Sequence, residues 1–163
     1  MQYEENTIYN KEIINEAAFI YWKKTFASTF IISIACVLLS FILIYFLNFK
    51  SWISGTFLAI SIISSVIFLW AFFIFRNRSL KIYEQMGSPS AKWIFNESNV
   101  IIESNTGKSE IKWKMFKNII KSQNVWLLTY KNGSYSTFPL AGVSNETLNF
   151  IDEKILEQNG KNT

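Results

Sequence analysis

Chemistry in a chain of this kind has to come from few side-chain types, and the choice is narrow. The 163 residues hold no histidine and a single cysteine, Cys36. A His/Cys zinc site, a Ser-His-Asp triad, a Cys-His dyad and a disulfide framework cannot be built from the chain alone. General acid–base work would fall to Glu, Asp, Lys or Tyr. The acids of the C-terminal half, Glu97, Glu103 and Glu110, stand beside turns or on solvent faces, without paired spacing. Neither a Gly-rich phosphate loop, an acidic metal cluster nor a nucleophile elbow occurs. The expectation is a binder and not an enzyme, with no catalytic residue, cofactor or metal site.

Lysine is the side chain that could recognise something. Residues 91–131 carry Lys92, Lys108, Lys112, Lys114, Lys117, Lys121 and Lys131 against three Glu, seven minus three giving a local excess of +4. Lys112, Lys114, Lys117 and Lys121 are the closest together and are the candidate contacts for an anionic headgroup. Beside an anionic leaflet each such cation contributes about 1 kcal/mol. The plainer reading is the positive surface of an ordinary cytoplasmic domain. Nucleic acid is not an expected partner, because no stacking motif accompanies the lysines. Trp113 and Trp126 occupy apolar strand positions and read as core.

The elements that must position these lysines are of two kinds. Between Phe26 and Phe75 the only charged side chain is Lys50. Residues 26–47 and 52–75 each hold 18 apolar side chains, the rest being Ser, Thr or Gly. A helix of either length reaches across a hydrocarbon core of about 30 Å, and backbone amides in lipid must bond within their own segment. The expectation is a two-helix transmembrane hairpin over 26–75. Lys23 and Lys24 precede it, Arg76, Arg78 and Lys81 follow it, and Lys50 alone occupies the connector. Five cations against one predict both termini in the cytoplasm, in a bacterial inner membrane. Four Glu before the first span argue against a cleaved signal.

Gly55 with Ala59, and Ser61 with Ser65, are small-xxx-small pairs that let helices approach closely. They would serve packing within the hairpin or, alternatively, a homodimer seam. No charged residue lies inside either span, which speaks against an ion path.

Outside the hairpin, residues 1–25 read as a short strand (Thr7–Tyr9) and a helix capped by Asn10, and 76–90 as a juxtamembrane linker. From 91 to 160 short β-branched and aromatic runs alternate with Asn/Gly/Ser clusters. Strands are expected at 92–95, 100–104, 109–113, 118–122, 125–131 and 134–138. Asn132-Gly133 signals a hairpin with a type I′ turn, which needs positive φ at both positions. Ser144 caps a closing helix whose Leu148, Ile151 and Ile155 form an apolar stripe.

Trp93-Ile94-Phe95, Val100-Ile101-Ile102, Ile111-Lys112-Trp113, Phe116-Lys117-Asn118-Ile119, Val125-Trp126-Leu127 and Phe138-Pro139, ahead of a closing helix, resemble the bacterial YcxB-like family. Where that family often has Pro-Lys, this chain has Pro139-Leu140. The resemblance implies a membrane hairpin joined to an antiparallel, pleckstrin-homology-like split barrel capped by a C-terminal helix, an α+β fold. It supplies no catalytic residues. The resulting expectation is a membrane-anchored binding or scaffold module for a lipid headgroup or a protein partner. The alternatives are an immunity-type protein against a membrane-active peptide or toxin, and a small transporter subunit.

Overall fold

Period-two burial builds the strands. The computed structural model describes residues 2–46, 48, 51–85, 87 and 89–160, with the backbone alone for 159 and 160. In it Ala91, Trp93 and Phe95 are buried, while Lys92, Ile94 and Asn96 between them are half-buried. Leu47 and Lys50, the expected end of the first span and the connector's cation, lie outside the described residues. So does Ser88 of the linker.

Strands β1 (Gln2–Ile8), β2 (Ser90–Asn96), β3 (Asn99–Ser104) and β4 (Gly107–Lys112) form one antiparallel sheet in that order. A second antiparallel sheet holds β5 (Phe116–Lys121), β6 (Val125–Tyr130) and β7 (Tyr135–Pro139), and α3 (Asn145–Gly160) closes the chain. Between β1 and β2 run two long helices, α1 (Lys11–Tyr45) and α2 (Trp52–Gln85). The fold is therefore α+β, with two separate sheets rather than one closed barrel. Each expected strand is present with its ends moved by up to a few residues, β1 growing the most. Two compact units result, Met1–Ile20 with Arg78–Thr163 and Tyr21–Asn77.

In the first unit, β1 pairs with β2 along its whole length, from Gln2 opposite Asn96 to Ile8 opposite Ser90. The N-terminal strand thus belongs to the same sheet as the strands after the hairpin. Its end is held by Tyr9. The Tyr9 amide donates to the Pro89 carbonyl at 2.5 Å, joining the point where the chain leaves the sheet to the point where it returns. The Tyr9 hydroxyl accepts from Trp93 Nε1 at 3.2 Å and donates to the Thr137 carbonyl on β7 at 2.9 Å. One buried side chain so ties both sheets together. Further along β1, the Glu5 carboxylate accepts from Thr147 Oγ1 at 2.6 Å in the first turn of α3, where negative charge suits the helix N-terminus.

Aromatic rings fill the space between. Trp93 meets Phe138 at 5.0 Å, Phe95 meets Phe138 at 5.3 Å, and Trp113 touches both Phe116 at 5.7 Å and Phe150 of α3 at 6.1 Å. Ser144 caps α3 as expected, its Oγ accepting from the Thr147 amide at 3.2 Å, and Ile151 and Ile155 are buried. Asn10 caps α1 in the same way, accepting from the Ile13 amide at 2.7 Å. The turn at Asn132-Gly133 differs from expectation. Only Gly133 has positive φ, at 81°. Tyr130 bonds Ser134 across a three-residue loop, and Asn132 Oδ1 accepts from the Ser134 amide. The Lys131 amide is drawn to the Met115 carbonyl, which rules out the two-residue form.

The second unit inverts the polarity of the first. Ser33, Ser40, Ser54, Ser61 and Ser65 are buried, while Ile31, Leu38, Phe41, Ile60, Ile63 and Ile67 are exposed. Ser33 and Ser65 hydrogen bond across the two helices at 2.9 Å, and Trp22 Nε1 donates to the Phe68 carbonyl at 2.9 Å. Both helices are long and apolar enough to cross a membrane. Their large side chains face outward, as hydrocarbon solvent demands, and small residues line the contact.

Burial pushes the Tyr9 phenol above the ordinary tyrosine range. Stability from the neutral hydroxyl is present below that range and is lost as pH rises through the raised folded value. Tyr9→Phe leaves the Trp93 N–H and the Thr137 carbonyl without this partner. The expected cost is about 1–3 kcal/mol, read from denaturant unfolding of the full chain in detergent. Tyrosinate absorbance should lose one transition above the ordinary tyrosine range in the same variant. Unchanged stability would remove Tyr9 as the tie between the sheets.

Candidate functional site

The lysines converge on the corner between the two sheets. After β4 the chain makes a single 3₁₀ turn, Trp113–Met115, before entering β5. With three residues per turn, positions i and i+3 share a side. Trp113 and Phe116 accordingly both point inward and are buried, which leaves Lys114 and Met115 exposed. The Phe116 amide closes the turn on the Trp113 carbonyl, and Trp113 Nε1 anchors it to the Asn96 carbonyl at 2.8 Å. Pairing of β5 with β6 slips between Phe116 and Asn118. That irregularity leaves Lys117 and Asn118 both exposed, breaking the strand's alternation.

Of the four candidate headgroup contacts, the structure brings Lys112, Lys114 and Lys117 to this corner. Lys121 belongs elsewhere. Its ammonium pairs with Asp152 of α3 at 2.8 Å and lies over the Trp126 ring at 5.0 Å. Lys131 takes its place, because its amide donates to the Met115 carbonyl at 3.0 Å. Local sequence spacing held no signal for either change, since each depends on which strand lies beside the corner. Lys92 and Lys108 are likewise paired, with Glu4 at 2.6 Å and Glu103 at 2.7 Å. The charge excess read over 91–131 is therefore concentrated at one place.

The three acids considered for catalysis all have partners. Glu97 pairs with Lys154 at 2.6 Å, Glu103 with Lys108, and Glu110 accepts from Asn99 Nδ2. The hydrogen bond from Lys154 holds the Glu97 carboxyl below its ordinary range. A general acid needs the opposite shift. Among the described residues no group of three or more His, Cys, Asp or Glu could hold a metal ion.

One concavity lies away from the corner. Asn10, Glu12, Ile13 and Glu16 at the start of α1 face Gln123, Asn124, Leu140 and Ala141 around a space of about 380 Å³. Glu16 accepts from Ser122 Oγ at 2.9 Å and Asn124 Nδ2 at 3.1 Å. These bonds fasten the helix to the β5–β6 turn.

In the hairpin, Ser61 and Ser65 lie in the helix contact, whereas Gly55 and Ala59 are exposed, with open space beyond Gly55. Gly55 is rotated about 100° around the helix from buried Ser54, so the first small pair misses the seam that the serines form. Ser40, Ser61, Ser64 and Ser65 each donate to a carbonyl one turn back in their own helix. Of the flanking cations, Lys23, Lys24, Arg78 and Lys81 are exposed and Arg76 is half-buried.

The corner, the sheet that follows it and most of α3 fall inside one family match. A model described as YcxB-like protein covers residues 95–155. This stretch belongs to the YcxB-like family. The YcxB-like stretch begins at Phe95 in β2 and ends at Ile155 in α3, so β1 and both long helices lie outside it. No curated protein and no solved structure matches the chain.

The Glu97–Lys154 pair gives a pH test. A carboxyl with a lowered folded value contributes stability above its unfolded pKa and loses it as pH falls through the folded one. Lys154→Gln is expected to raise the Glu97 titration midpoint, followed by carboxyl NMR, toward the ordinary carboxylate range. If the midpoint does not move, Lys154 is not its cause.

Proposed function

We propose that this protein is a membrane-anchored binding module, not an enzyme, that holds its basic corner against anionic lipid headgroups of the cytoplasmic leaflet. The observation that carries this reading is the pairing pattern of the lysines. Ion pairs occupy Lys92, Lys108, Lys121 and Lys154, while Lys112, Lys114 and Lys131 stand exposed around one turn. The two apolar helices support a membrane anchor. Cations on their flanks favour a bacterial inner membrane with both termini cytoplasmic. Anchoring would raise the effective concentration of the corner at the bilayer with no further contact required.

Two experiments test the parts separately. In a Cys36→Ala background, single cysteines at Ser51 and at Thr163, the latter outside the described residues, are exposed to an impermeant label in intact cells. Only the first is expected to react; labelling of Thr163→Cys from outside would reverse the topology. For the corner, the full chain is reconstituted in anionic or in zwitterionic vesicles and its lysines are acylated. Lys112, Lys114 and Lys131 are expected to be protected in anionic vesicles only, and equal labelling in both would reject the headgroup contact. The whole chain is needed, because a fragment starting after the hairpin loses β1 and Tyr9.

A further inference from the structure

The corner has an apolar member as well as a basic rim. Met115 is 47% exposed at the apex of the 3₁₀ turn, although its neighbours Trp113 and Phe116 are buried. Lys114 precedes it, Lys117 follows Phe116, Lys112 ends the strand before the turn, and Lys131 is hydrogen bonded to the Met115 carbonyl. A lone exposed apolar side chain is ordinary on a protein surface. One flanked by exposed cations is a different feature, since it pairs a short apolar probe with charges that suit phosphate.

We propose that Met115 is an insertion tip. Resting on the headgroup reading above, it enters the acyl boundary of an anionic bilayer while Lys112, Lys114 and Lys131 contact the phosphates around it. Charge complementarity favours lipid as the occupant: Lys112 and Lys114 flank the tip along the chain, and Lys131 is joined to it through its amide. The nearest acid along β4, Glu110, is engaged by Asn99. The side chain also fits the role. Met is unbranched and polarisable, so it adapts to a disordered medium where a rigid ring would need a shaped pocket. The backbone beneath is firm, because Trp113 and Phe116 fix the turn from inside and the Lys131 amide fixes it from the side. Insertion therefore demands no refolding of the corner.

The test uses the full chain in a Cys36→Ala background, with Met115→Cys carrying an environment-sensitive fluorophore. In vesicles containing anionic phospholipid the emission is expected to shift to the blue and to be quenched by lipid spin-labelled near the headgroup end of its chain. In purely zwitterionic vesicles both effects should be lost. The same fluorophore at Asn132→Cys, in the neighbouring loop, should stay water-exposed in both. An unlabelled pair, Met115→Leu and Met115→Asp, checks the effect without the dye. Leu is expected to keep the anionic-lipid protection of the lysines, and Asp to reduce it. A water-exposed dye together with protected lysines overturns insertion and leaves the headgroup reading standing. Unprotected lysines overturn both.

Discussion

The fold depends on closing a sheet across a long interruption. Between β1 and β2 the chain runs out through two helices totalling 69 residues, 35 and 34. Strand pairing across such a loop carries a closure cost that grows only slowly with length. What makes the closure specific is the cluster at Tyr9. Its amide joins the two ends of the interruption, and its hydroxyl binds one sheet through Trp93 and the other through Thr137. In a buried setting these groups must be paired or pay their desolvation. The arrangement therefore selects one register of β1 on β2, and with it the placement of Glu5 at the start of α3.

The two units sort their side chains in opposite senses. In the strand-rich unit water is the outside, so Trp93, Phe95, Phe116 and Phe138 go in and the lysines stay out. In the hairpin, whose helices are long and apolar enough to cross a membrane, isoleucines and phenylalanines go out and serines go in. The serine hydroxyls satisfy themselves against their own backbone, which keeps a polar seam affordable without building a polar path.

Charge is sorted by geometry rather than by count. Lysines that face a neighbouring strand or helix find carboxylates there, as Lys92, Lys108 and Lys121 do; Lys112, Lys114 and Lys131 at the corner are exposed. A tight turn that uses its inward positions for two aromatic rings can offer only its outward positions to solvent. The basic corner is thus a consequence of how Trp113 and Phe116 are packed.

The hairpin, the strands after residue 90, both helix caps and the closing helix were legible in the amino-acid order, because each rests on local signals: unbroken apolarity, period-two alternation, a capping side chain, a stripe at helical spacing. So was the general location of the positive charge. Three things were decided only in three dimensions. Lys121 left the candidate site because Asp152 and Trp126 lie beside it in space and not in sequence. Lys131 joined it through the bond from its amide to the Met115 carbonyl, made where the chain leaves β6 beside the turn before β5. The N-terminal strand became an edge of the sheet through pairing with residues 90–96. Local physics specifies which element a segment forms. Which elements become neighbours, and so which charges are consumed and which remain, follows from the packing that buries the shared aromatic core.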